Sequence, residues 1–75
     1  MKNKKIIVIG GSGFLGSHVA DILTENNYQV HVFDLNPSEW INKKQHFIRG
    51  DILNYNDLLK AFKNTHAVFH FAGIA

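Results

Sequence analysis

The chain has 75 residues, 45% hydrophobic and 19% charged, with a net charge of +2; that composition is globular and leaves room for one domain at most. It has no cysteine, so disulfides and thiolate metal sites are excluded and a reducing, cytoplasmic setting is expected. No arginine-rich stripe points to nucleic acid, no run nears the ~20 apolar residues of a membrane span, and Ile6 to Ile9 falls short of the ~7–15 apolar residues of a secretory leader.

Lys4 to Ile9 reads as a strand, β-branched and apolar on both faces, as in the centre of a parallel sheet. Gly10 to Gly13 is a turn. A helix is expected from Gly13 to about Glu25, with Phe14 and Leu15, His18 and Val19, Ile22 and Leu23 as its apolar face and Asn26 and Asn27 as its stop. Gln29 to Asp34 is a second strand. Pro37 and Ser38 are expected to open a short helix through about Lys43, with Trp40 capping the core. Gln45 to Arg49 is a third strand, closed by Gly50. Asn54 or Asn56 is the expected cap of a helix running to about Lys63, with Leu58, Leu59 and Phe62 inward. Ala67 to Phe71 is a fourth strand. The order β-α-β-(α)-β-α-β predicts an α/β fold with a parallel sheet and right-handed crossovers.

The glycines between the first strand and helix satisfy two spacings. Gly11, Gly13 and Gly16 fit G-x-G-x-x-G; Gly10, Gly13 and Gly16 fit G-x-x-G-x-x-G. An early glycine permits the tight turn. The middle one lets a phosphate approach the backbone, and the last lets the helix lie close to the sheet. The helix start then offers unpaired N–H groups and positive charge to a diphosphate. The ATP-type phosphate loop is excluded, because Ser17 stands where that loop needs lysine. Asp34 ends the second strand, where a carboxylate accepts hydrogen bonds from the adenosine ribose hydroxyls. It also repels a 2′-phosphate, and no arginine lies nearby, so NAD is favoured over NADP. The expectation is a partial Rossmann fold, strand order 3-2-1-4, whose fourth strand exposes Val68 and Phe69 at an unpaired edge and invites self-association. No metal site is expected: His66 and His70 share a strand face but lie ~13 Å apart at ~3.3 Å per residue.

Four markers in chain order make the sequence resemble the NAD-dependent epimerase/dehydratase family, the extended short-chain dehydrogenases/reductases. They are the string GGSGFLG at Gly10 to Gly16, Asp34, Gly50-Asp51-Ile52, and Val68-Phe69-His70-Phe71-Ala72-Gly73. The resemblance implies that the backbone of Phe14 and Leu15 meets the pyrophosphate. It implies that Asp51 accepts from the adenine amino group, with Ile52 lining that pocket, and that Phe71, Ala72 and Gly73 pass near the nicotinamide-side ribose. Two departures are Ile9, where the family usually has threonine, and His66, where an acid is common.

The family's proton-transfer pair, Tyr-x-x-x-Lys, is absent: Val32 follows Tyr28 and Leu59 follows Tyr55 at that spacing. Residues 1 to 75 therefore read as the N-terminal portion of a dinucleotide-binding domain, without catalytic or substrate-binding parts and inactive alone. The parent is expected to be an oxidoreductase acting on a nucleotide sugar. The alternatives are a non-catalytic dinucleotide-binding module (a redox sensor or structural subunit) and a truncated gene remnant.

Overall fold

A computed structural model of the chain describes residues 4–71. Its elements are β1 (Lys5–Ile9), α1 (Phe14–Glu25), β2 (Gln29–Asp34), β3 (His46–Arg49), α2 (Tyr55–Phe62) and β4 (Ala67–His70). The strands form one parallel sheet in the order β3-β2-β1-β4, as the sequence predicts. Ile7 sits between His31 on one side and Val68 on the other.

Alternation along β1 and β2 divides the core in two. Ile6, Val8, Val30 and Val32 pack against Ala20 of α1, while Ile7, Ile9 and Phe33 pack against Ala61 of α2. Both faces of the central strands are thus covered, which explains why β1 is apolar throughout.

The helices are turned differently from the expected stripes. In α1 the buried positions are Gly16, Ser17 and Ala20, and Leu23 packs on the core, whereas Phe14, Leu15 and Ile22 are exposed. Small residues face inward at the start of α1 because Gly16 lies against the backbone of Gly10 and Gly11, where a side chain does not fit. In α2 the inward pair is Leu58 and Ala61; Leu59 and Phe62 are largely outside. Asn27, with φ 69°, ends α1 in the left-handed region that asparagine tolerates. Asn54, not Asn56, caps α2: its side chain accepts from the Asp57 N–H at 3.1 Å.

The short helix expected over 37–43 does not form. Its polar side chains take over the backbone donors. Ser38 Oγ accepts from the Trp40 N–H at 2.9 Å, and Asn42 Oδ1 accepts from the Lys44 N–H at 2.8 Å. Such local bonds offer the backbone a turn in place of a helix. Trp40 does not cap the core; it is half exposed and meets the Phe14 ring edge-on, centroids 6.1 Å apart. Among the described residues no helix is long and apolar enough to cross a membrane.

Candidate functional site

All four strands end at one rim. There Gly10 donates to Phe33 O at 2.8 Å, Gly50 donates to Asp34 O at 3.1 Å, and Phe71 donates to Ile9 O at 2.7 Å. Because α1 and α2 leave on opposite faces, the order reverses at β1 and a crevice opens above the carboxyl ends. Ligands of open α/β sheets collect at such a point. The crevice is an open cleft of about 310 Å³. Gly10, Gly13, Asp34, Ile52 and Phe71, all named from the sequence, line it; so do Gly50, named only as part of a family marker, and Phe33 and Leu35, which sequence reasoning did not single out. Phe33 and Leu35 follow from position alone, each at a strand end, and carry no side-chain chemistry that would have flagged them.

The floor of the cleft is the glycine turn. Gly10 has φ 76°, a conformation that costs a residue with a Cβ roughly 1–2 kcal/mol. A Cβ on Gly16 would run into the Gly10 carbonyl oxygen and come within 2.8 Å of the Gly11 Cα. One on Gly11 would come within 2.8 Å of the Val32 side chain. Gly13 differs: a Cβ there would meet only Gly10 O, at 3.6 Å, so packing leaves the position open. The first two glycines of GGSGFLG and its last serve the fold, while Gly13 faces the cleft.

Gly13 is also the N-cap of α1. It brings no side chain to the helix start, and the first turn carries no acid. The first intrahelical bond runs from the Ser17 N–H to Gly13 O at 2.9 Å, so the amides of Phe14 and Leu15 precede the ladder. A helix end of this kind carries about half a positive charge. Phe14, Leu15 and Gly16 do not line the cleft with side chains; Phe14 and Leu15 point outward, and what they bring to the rim is backbone.

Asp34 stands beside this turn. Its Oδ2 accepts from the Ser12 N–H at 3.1 Å and its Oδ1 from the Asn36 N–H at 3.3 Å. Across the cleft, Asp51 has its Oδ1 on the Leu53 N–H at 2.9 Å, while its own N–H donates to Asp57 Oδ2 at 3.2 Å. The loop held this way places Ile52 on the cleft wall and leaves Asp51 just outside the lining. Ala72 and Gly73 lie outside the described residues.

The family model described as "NAD dependent epimerase/dehydratase family" matches residues 6–75. Sterol-4-alpha-carboxylate 3-dehydrogenase, decarboxylating, from Mus musculus is 46% identical over 71 residues, covering 95% of this chain and 19% of that protein. The putative UDP-glucose 4-epimerase of Methanocaldococcus jannaschii is 41% identical, over 89% of this chain and 23% of that one. Among solved structures, UDP-glucose 4-epimerase from Thermotoga maritima with UDP-glucose superposes with TM-score 0.86 at 37% identity, over 95% of this chain and 25% of that one. The Brucella ovis enzyme in complex with NAD gives TM-score 0.85 at 33% identity, over 96% of this chain and 23% of that one. The chain spans about a fifth of the length of the curated relatives it matches.

Proposed function

The chain belongs to the NAD dependent epimerase/dehydratase family, and on that footing we propose that it builds the adenosine-diphosphate half of an NAD site. The observation that carries this reading is Asp34 Oδ2 at 3.1 Å from the Ser12 amide, which sets a carboxylate beside an uncapped helix start. The Phe14 and Leu15 amides hold the pyrophosphate over Gly13, where no side chain intervenes. The carboxylate of Asp34 takes the ribose hydroxyls, and its charge disfavours NADP; the sequence predicts no arginine near it, but the sheet sets Arg49 opposite Asp34 in register, so the preference rests on the carboxylate alone. Ile52 packs against adenine, with Asp51 accepting from the amino group. Phe71 stands on the nicotinamide-side ribose, and the family pattern gives Ala72 and Gly73 the same role.

NAD, when bound, supplies the hydride acceptor. This chain orients it, and residues 1 to 75 alone hold no Tyr-x-x-x-Lys pair to move the proton that leaves with the hydride. They are therefore expected to show no turnover. For the whole protein we propose oxidation of a hydroxyl-bearing carbon in a nucleotide sugar. The 46% identity to a sterol-4-alpha-carboxylate dehydrogenase favours a sterol as the second reading.

Isothermal titration with NAD, ADP-ribose and NADP tests the site. Comparable binding of NAD and ADP-ribose is expected, with NADP at least about tenfold weaker. Tighter binding of NADP overturns the role given to Asp34. If none of the three binds, the nucleotide reading fails. Turnover assays of the whole protein on UDP-glucose and on a 4α-carboxysterol decide between the two substrates.

A further inference from the structure

Resting on that nucleotide reading, we infer that Asp34 is also a positioning residue for the diphosphate: its bond to the Ser12 amide sets the bend that aims the Phe14 and Leu15 N–H groups. Apart from the packing of Gly11 on Val32, little else holds the middle of the turn. Gly10, Gly11 and Gly13 carry no side chains, and Ser12 Oγ is buried with no hydrogen-bond partner among the described residues. The ends are fixed by Gly10 N–H on Phe33 O at 2.8 Å and Gly13 N–H on Gly10 O at 3.2 Å. Between them, the Ser12 N–H reaches Asp34 Oδ2 at 3.1 Å, across a sequence separation of 22 residues. A hydrogen bond to an ionised acceptor is stronger than a neutral one. The Asn36 N–H on Oδ1, at 3.3 Å, holds the carboxylate from its other side. One side chain thus spans the two halves of the site, and its loss reaches past the ribose to the diphosphate.

The consequence separates this role from ribose recognition. If Asp34 acted only on the ribose, a ligand without ribose hydroxyls would be indifferent to it. If it also sets the turn, that ligand suffers when the acceptor is removed. The probes are ADP and 2′,3′-dideoxyadenosine 5′-diphosphate, titrated into the purified protein and followed by the amide resonances of Ser12, Phe14 and Leu15. Asp34→Asn keeps one oxygen for the Ser12 N–H and gives up the bond from the Asn36 N–H, since its NH2 cannot accept; Asp34→Ala keeps neither.

The dideoxy ligand is expected to bind Asp34→Ala about tenfold more weakly than the original, with Asp34→Asn between the two. Both variants lose the preference for ADP over the dideoxy ligand. Equal binding of the dideoxy ligand by the original and Asp34→Ala overturns the inference and leaves the nucleotide reading standing. Failure of ADP to bind the original protein overturns both. Should Asp34→Ala not fold, Asp34→Glu, which carries the carboxylate past Ser12, replaces it with the same expected loss. Rapid, unprotected exchange of the Ser12 amide hydrogen in the original protein also overturns the inference.

Discussion

The carbonyl oxygen of Gly10 and the Cα of Gly16 face each other with no room for a methyl group between them. This closeness lets α1 begin directly above the end of β1. Gly16→Ala is expected to force the turn and helix apart. The obstacle is backbone on both sides, so the cost is that of overpacking a core without relief, about 2–3 kcal/mol. Denaturant unfolding measures it, and an unchanged midpoint would show that the turn yields more easily than its geometry implies.

Gly13→Ala separates fold from function. A methyl there has 3.6 Å to its nearest neighbour, so unfolding midpoints should stay within roughly 0.5–1 kcal/mol of the original, the ordinary cost or gain of exchanging glycine and alanine. Binding of ADP-ribose should fall at least about tenfold, since the methyl occupies the path of a diphosphate to the backbone. Stable protein with undiminished binding would move the ligand away from Gly13.

His31 makes folding stability pH-dependent. Burial, helped by neighbouring His46 and Lys5, pushes its pKa down to about 4 from the ordinary 6.5. Its ring stacks on His46 with centroids 4.6 Å apart. Between pH 6.5 and 4 the unfolded chain binds a proton there that the folded chain refuses. This contribution is whole above pH 6.5, shrinks as pH falls toward 4, and changes no further below that. The ring keeps some contact with solvent, so the amount is on the order of 1–2 kcal/mol. His31→Gln should flatten the pH dependence of the unfolding free energy over this window relative to the original. Parallel profiles would contradict it.

Gln45 ties the loop after β2 to α1. Its amide donates to Asp21 Oδ1 at 3.0 Å and to Thr24 Oγ1 at 3.1 Å, and its oxygen accepts from the Asn42 N–H at 3.3 Å. Gln45→Leu fits the volume but leaves those partners wanting, for a loss of about 2 kcal/mol. Thermal unfolding reports the loss, and Asn42 and Trp40 resonances should shift with it. No change in either would assign the loop's position to Ile41 packing alone.

At the sheet edge, Val68 and Phe69 remain 42% and 39% exposed, and β4 pairs only with β1 among the described residues. An exposed apolar edge strand is a template for another chain. Isolated residues 1 to 75 are therefore expected to sediment with a concentration-dependent mass, and Val68→Lys should return them toward the monomer. A sharp, concentration-independent transition from a monomer would argue against this.

Short-range spacing in the sequence determined the order of strands and helices, the parallel sheet and the place of the glycine turn. It did so because β1 needs apolar residues on both faces, and because Gly10 and Gly16 answer a local steric demand. Asp34 was legible for a similar reason, as the last residue of a strand whose end forms the rim, whereas Ile52, three residues past β3, was legible only through the Gly50-Asp51-Ile52 marker. What only the tertiary structure decided depends on contacts between distant segments. Which face of α1 turns inward is set by how closely Gly16 meets Gly10, not by where Phe14 and Ile22 recur. The stretch 37–43 is a turn because Ser38, Asn42 and Gln45 bond backbone and α1 in three dimensions, whereas a one-dimensional pattern registers only that proline can start a helix. The tie from Asp34 to Ser12 belongs to the same class: neither residue announces the other, and their meeting depends on β2 lying beside β1 in this register.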